Sequence, residues 1–438
     1  MASLAERLDH HFGLGRLGTT VSRELVAGAT TFLTMSYIVF VNPSILSAAG
    51  MPVEAVTAAT CLSAAFGCLL MGLWAKHPIA LAPGMGINAY FAYGVVGGMG
   101  VDWRTAMGAV FLSGVAFLAL TALGVRRRLL DAMPRELYAA VGGGIGLFLA
   151  LIGLRNAGLV AASEATLVTL GDLSAPSTAL AVGGLLAIAA LLAYRVKAAL
   201  LIGVLGAAVL GDFLGLAEWS PGAGNFAGMT DTAFALDIPA ALSLGLLEIV
   251  FVFFFVDFFD SLGTIIAVTQ RAGLVDENGD VPRVNRVLAT DAASTMVGAV
   301  TGTSTVTSYI ESAAGVAAGG RSGLTAVVVG LLFLVALMVT PFLGAIPEAA
   351  TAPALILVGA SMMAVVREID WEEPETSVPA FLILLTIPLT YSIANGIALG
   401  VIVYDVVKIA RGKAGQVSWI VHLLAVLFVW RFVYLAGG

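Results

Sequence analysis

Two acidic residues, Asp257 and Asp260, stand three apart in a run of apolar aromatic residues (248–264, EIVFVFFFVDFFDSLGT). A third, Glu311, lies in a run of hydroxyls and glycines (301–320, TGTSTVTSYIESAAGVAAGG). The spacing of three puts Asp257 and Asp260 on one helical face. A carboxylate at the centre of a bilayer costs roughly 2.5–3.5 kcal/mol on insertion scales, so an acid there marks a functional site. Such an acid can take up a proton, and it can accept N–H donors from a ligand. Asp257 and Asp260 are therefore expected with Glu311 as proton carriers, although either Asp could instead hold a neighbouring backbone or hydroxyl group. Asn88 contributes a donor and an acceptor from a second polar stretch (82–94, APGMGINAYFAYG). Thr30, Thr31, Thr34 and Ser36 put hydroxyls on the first apolar segment. Two roles stay open for them: lining the site, or bonding back to their own helix.

The chain that must position these groups is 59% hydrophobic and 11% charged over 438 residues. A soluble domain carries about 25% charged residues. Apolar segments recur from residue 24 to residue 435, which makes this an all-α polytopic membrane protein. The short alternating segments of a β-barrel are absent. Fourteen candidate spans can be drawn: 24–48, 54–75, 78–98, 105–124, 136–154, 177–194, 198–216, 238–268, 286–300, 302–319, 323–342, 346–366, 377–393 and 395–411. A further stretch, 417–435, contains Trp430 and Arg431 and reads as a fifteenth span or an interfacial helix, the aromatic and Arg content tilting toward the interface.

With the N-terminus inside, nearly all Lys and Arg residues fall on inside segments, from Arg7 through Arg126–Arg128 to Lys408 and Lys413. The outside segments hold Arg104 and Arg155, and Arg431 is unassigned. The positive-inside rule thus puts the N-terminus and residues 408–415 in the cytoplasm of a multi-pass plasma-membrane protein. Asp291 reads as a charge near the start of span nine. The stretch 276–280 (DENGD) reads as a turn between helices, because it lacks the rest of a calcium-loop spacing. Cys61 and Cys68 read as packing residues, and neither His77 nor His422 reads as a metal ligand. No phosphate loop, nucleophile elbow, zinc signature or dinucleotide fingerprint is present. The expectation is therefore a non-enzyme that needs no cofactor and binds no nucleic acid.

The two polar stretches occupy the third and tenth spans, which are corresponding places in two halves of seven. An odd number of spans per half inverts one half relative to the other, and paired interrupted segments point to a transporter binding site. Thr303, Ser304, Thr305, Val306 and Thr307 favour an extended piece over a helix. Pro83 and Gly84 break the third span in the same way. Each extended piece is expected near mid-membrane, followed by a half-helix whose first N–H groups are free.

At these residues the chain resembles AzgA-like purine permeases of the xanthine/uracil permease superfamily. The matching stretches are 30–43 (TTFLTMSYIVFVNP), 82–91 (APGMGINAYF), 256–264 (VDFFDSLGT), 302–320 and 388–400 (PLTYSIANGIALG). The resemblance implies a core domain from residues 1–135 and 237–342, a gate domain from 136–236 and 343–415, and a terminal segment 416–438. It implies proton-coupled import of hypoxanthine, guanine or adenine by an elevator-like motion, with Na⁺ as the alternative coupling ion. It places substrate contacts at Asp260 and Glu311, at Tyr309 and Ile310 before Glu311, and at Gly86, Ile87 and Asn88 of the third span, with Thr34 nearby. A homodimer is left open. The rival expectation is an anion transporter of the sulfate-permease type, which shares the seven-plus-seven plan but favours a neutral or cationic site.

Overall fold

A computed structural model describes residues 4–124, 134–216, 228, 230–243, 247–275, 281–343 and 346–434. The Arg126–Arg128 cluster and the 276–280 turn lie outside the described residues. Nine helices among the described residues are long and apolar enough to cross a membrane. Two shorter apolar ones, Ala199–Phe213 and Pro374–Thr390, coincide with spans seven and thirteen.

In chain order, α1 (Leu4–Phe12) leads to α2 (Val21–Met35), α3 (Ile38–Ser47) and α4 (Val53–Leu70). The extended piece β1 (Leu81–Pro83), the short helix α5 (Met85–Ala89) with its wider-wound continuation Tyr90–Gly98, and α6 (Trp103–Ala122) complete the first set. Next come α7 (Arg135–Asn156), the strands β2 (Val160–Ser163) and β3 (Leu167–Leu170), α8 (Pro176–Ala193) and α9 (Ala199–Phe213). A single turn, α10 (Ile238–Ala241), precedes α11 (Leu247–Arg271) and α12 (Val284–Thr301). After β4 (Val306–Ser308) and α13 (Ser312–Ala317) come α14 (Gly323–Leu343), α15 (Glu348–Met362), α16 (Pro374–Thr390), α17 (Ile393–Ala410) and α18 (Trp419–Tyr434).

Both broken spans hold a short strand, at Leu81–Pro83 and at Val306–Ser308; the second overlaps the predicted 303–307 stretch only at Val306 and Thr307. Leu81, Ala82 and Pro83 pair antiparallel with Ser308, Thr307 and Val306. In the eighth span, Asp237 caps a separate turn by accepting the Ala240 N–H at 3.0 Å, and the long helix is described from Leu247. The segment 155–176, between the fifth and sixth spans, holds the β2–β3 hairpin.

The helices sort into two packing groups. In one, α14 lies on α4 and α2, α12 on α6 and α4, and α11 on α6. In the other, α15 and α16 lie on α7, α8 and α9 on α15, and α17 on α16. Without a hydrophobic drive between helices in lipid, such crossings rely on small residues that let backbones approach. Gly146 and Gly359 make the α7–α15 crossing this way: a Cβ on Gly359 would sit 2.3 Å from the Gly146 carbonyl. In the first group Glu24 of α2 is fully buried and accepts the N–H groups of Arg321, Ser322 and Thr325 at 2.9, 3.3 and 3.2 Å. It thereby caps α14, whose first N–H groups would otherwise lack a partner.

The terminal stretch forms α18. Val421, Ala425 and Phe428 form a buried stripe on α18, which packs against α17. His422 pairs with Asp405, and Arg431 with Asn395, so α18 runs antiparallel to α17.

Candidate functional site

The β1–β4 pair is the frame of the site. Its ends are fixed by backbone bonds: Gly84 N–H donates to Thr305 O at 2.9 Å and Tyr309 N–H to Ala80 O at 2.9 Å. Side chains tie the same frame to two helices. Asp291 of α12 accepts the hydroxyls of Ser261 on α11 and Ser308 on β4, at 2.6 and 2.8 Å. Ser261 also lies 2.6 Å from the Thr307 hydroxyl. Thr295 of α12 sits 2.9 Å from Asp257 Oδ2 and 3.0 Å from Val306 O.

This corrects the expectation for Asp291 and bears on that for Asp257. Asp291 is no terminal helix charge: it is fully buried and pins β4 between α11 and α12. Asp257, expected among the proton carriers, is 1% exposed and one of its oxygens is taken by Thr295. The three-residue spacing does put the two acids on one face, but packing gives them different surroundings.

Asp260, one turn further along α11, stays open. It is exposed, as is Gly263, and among the described residues no protein group donates to its carboxylate. Glu311 is half-buried at the start of α13. α11 packs on both β4 and α13, which brings the two acids together across 51 residues of sequence. Glu311 is held from a third element, since the fully buried Tyr37 donates its hydroxyl to Glu311 Oε1 at 2.8 Å. Tyr37 sits in the turn between α2 and α3. The α2–α13 contact behind this bond is close, for a Cβ on Gly315 would fall 2.1 Å from Thr31 Oγ1.

Asn88, in the first turns of α5, is fully buried. Its amide donates to Asn42 Oδ1, and Asn42 in turn donates to Thr60 and Thr303 at 2.8 and 2.9 Å. Asn88 Oδ1 has no protein partner among the described residues and remains an acceptor facing this cluster's interior. The other residues expected at the site divide. Ile310 is 51% exposed beside Glu311. Tyr309 turns its hydroxyl to Pro83 O at 2.5 Å and so braces β1. Thr34 bonds back to Thr30 O and Thr31 O at 3.1 and 2.7 Å, which settles its hydroxyl on its own helix. Gly86 faces Ile145 of α7, with room for no Cβ, and Ile87 is 2% exposed.

Tyr37, Asn42 and Ser261 escaped the reading of the chain as site residues. Asn42 carried a signal, an amide before Pro43 inside an apolar span. Tyr37 and Ser261 carried none beyond their place in the matching stretches.

The paired breaks, the intramembrane acids and the two helix groups define a membrane transporter. The permease family model for xanthine and uracil permeases matches residues 22–399, and the chain belongs to that family. It is a multi-pass permease of the plasma membrane and not an enzyme. It is 44% identical over 428 residues to the adenine permease AdeP of Escherichia coli K12, covering 98% of this chain and 96% of that one. It is likewise 44% identical over 436 residues to the guanine/hypoxanthine permease PbuG of Bacillus subtilis 168, covering 97% and 99%. The fold is shared with the transmembrane domain of the cyanobacterial bicarbonate transporter BicA, at TM-score 0.64 and 15% identity over 86% of this chain and 97% of that one. It is also shared with the murine anion transporter Slc26a9 in the inward-facing state, at TM-score 0.67 and 12% identity over 94% and 73%.

Proposed function

We propose that this chain imports purine nucleobases by proton symport. The observation that carries the reading is the meeting of Asp260 and Glu311 at the crossed breaks of two spans, in a chain closely related to adenine and guanine/hypoxanthine permeases. A neutral purine presents ring N–H donors beside ring nitrogen and carbonyl acceptors. The open Asp260 carboxylate and the free oxygen of Glu311 accept the former. Backbone N–H groups at the start of α5 offer donors to the latter. Asn88 stands behind them, held by Asn42.

Proton uptake on Glu311 or Asp260 removes one of the two negative charges of the loaded site before it moves. The first packing group, with α2–α6 and α11–α14, is the moving core. The second, with α7–α9 and α15–α17, is the gate. One elementary charge crossing 100 mV supplies about 2.3 kcal/mol, enough for tens-fold accumulation. The N-terminus and residues 408–415 lie in the cytoplasm, on the strength of the Lys and Arg distribution.

Uptake of labelled hypoxanthine into cells, competed by adenine, guanine, xanthine and uracil, tests the substrate class. A protonophore tests the coupling. Glu311→Gln should abolish energised accumulation, and full accumulation by that variant rejects the assignment. Anion transport is the second reading, favoured by the fold shared with BicA. Two acids in one site oppose it, because an anion there would face uncompensated like charge. A rise in melting temperature with hypoxanthine and none with sulfate or bicarbonate separates the two.

A further inference from the structure

The terminal helix α18 sits where the two packing groups meet. Its Arg431 forms an ion pair with Glu248 at the first turn of α11, and donates to Asn395 Oδ1 of α17 at 3.0 Å. The Arg431 and Glu248 side chains are only 15% and 23% exposed. One helical turn inward the Phe251 and Phe428 rings meet with centroids 6.4 Å apart. α18 is also anchored on α17, through the buried stripe Val421, Ala425 and Phe428 and the His422–Asp405 pair at 2.6 Å. Thus α18 is fastened to α17, and the Arg431–Glu248 ion pair and the Phe428–Phe251 ring contact tie it to α11.

We propose that α18 is a latch on the transport cycle, closed by Arg431 on Glu248. This rests on the reading of α11 as part of a core that moves against α17 and its group. α11 carries Asp260, so a displacement of the substrate site along the membrane normal drags Glu248 away from Arg431. A partly buried ion pair is costly to break by halves, because each charge left alone is poorly solvated. The pair therefore holds the core in one position until the loaded site moves, and Asn395 keeps a partner on Arg431 after Glu248 has left.

The test is reversible crosslinking in the full-length chain. Cys61 and Cys68 are free, so both are first replaced by Ala to keep them from competing for reagent. In E248C/R431C, a short bis-methanethiosulfonate should stop purine uptake, and reductant should restore it. Uptake by the crosslinked protein at the unlinked rate overturns the latch. If the substitutions themselves stop uptake, F251C/F428C carries the same crosslink one turn inward and is read in the same way. A companion pair, S44C/T351C, bridges α3 and α15, whose Ser44 and Thr351 hydroxyls lie 3.0 Å apart. If that crosslink blocks uptake while the α11–α18 crosslink does not, the latch alone fails. If neither blocks uptake, the moving-core reading itself fails, and the latch with it.

Discussion

The Tyr37 hydroxyl donates to Glu311 Oε1 at 2.8 Å, joining the turn between α2 and α3 to the start of α13. One carboxylate oxygen is thereby occupied and the other is aimed. Both partners belong to the same packing group, so the bond persists whichever way that group moves. A hydrogen bond to a charged group contributes about 1.5–3 kcal/mol. Tyr37→Phe should therefore raise the KM for purine uptake about tenfold or more while the protein still reaches the membrane. Unchanged KM in a labelled-hypoxanthine assay would show that Glu311 needs no such support.

Asp257 and Asp260 should respond differently to the same substitution. Asn keeps an acceptor for the Thr295 hydroxyl, so Asp257→Asn should retain purine binding. Asp260→Asn replaces one oxygen of an open carboxylate with a donor, and should abolish binding. Hypoxanthine-dependent thermal stabilisation of the two purified variants decides this. Equal loss in both would move Asp257 into the site.

Gly315 leaves room for nothing larger. A Cβ there meets Thr31 Oγ1 at 2.1 Å and Ala27 O at 2.6 Å, and one of the atoms in the way is backbone. Overpacking of this kind costs about 1–3 kcal/mol. Gly315→Val should lower the melting temperature and, by pushing α13 off α2, weaken purine binding as well. A variant with wild-type melting behaviour would mean that α13 can shift freely.

Glu375 precedes the apolar segment that begins at residue 377 and is enclosed by three cations: Lys408, Lys413 at 2.6 Å and Arg411 at 2.8 Å. Bonds from Lys408 first, then Lys413, with Arg411 adding to them, hold its carboxyl down from 4.5 to about 2. A depressed folded-state value contributes stability that is whole above the unfolded value and is lost as pH falls through the folded one. The α16–α17 junction should therefore loosen between about pH 4.5 and pH 2. Glu375→Gln should flatten that part of the melting-temperature profile. An identical acid limb in both proteins would show that Glu375 does not drive it.

The apolar runs, their breaks at Pro83–Gly84 and 303–307, and the acids among them were legible along the chain. Hydropathy is a local property, and a polar residue in an apolar run stands out wherever it falls. The approximate positions of the extended pieces were legible too, since proline and β-branched hydroxyl residues act on their own backbone. What Asp257, Asp260 and Asp291 each do was not legible, because it depends on which hydroxyls of α11, α12 and β4 face them. Thr34 had two open roles in sequence, and only the fold of its own helix chose between them.

The sequence by itself determined that this is a membrane-spanning helical chain with two matched interruptions and a purine-permease pattern, because lipid enforces apolar length and internal backbone bonding residue by residue. Only the tertiary structure decided that Asp260 is open while Asp257 is tied, that Tyr37 holds Glu311, and that Arg431 bridges α11 and α17. Those are contacts between segments far apart in the chain, and the pairing of such segments is set by packing in three dimensions, where no single stretch of sequence carries the partner's address.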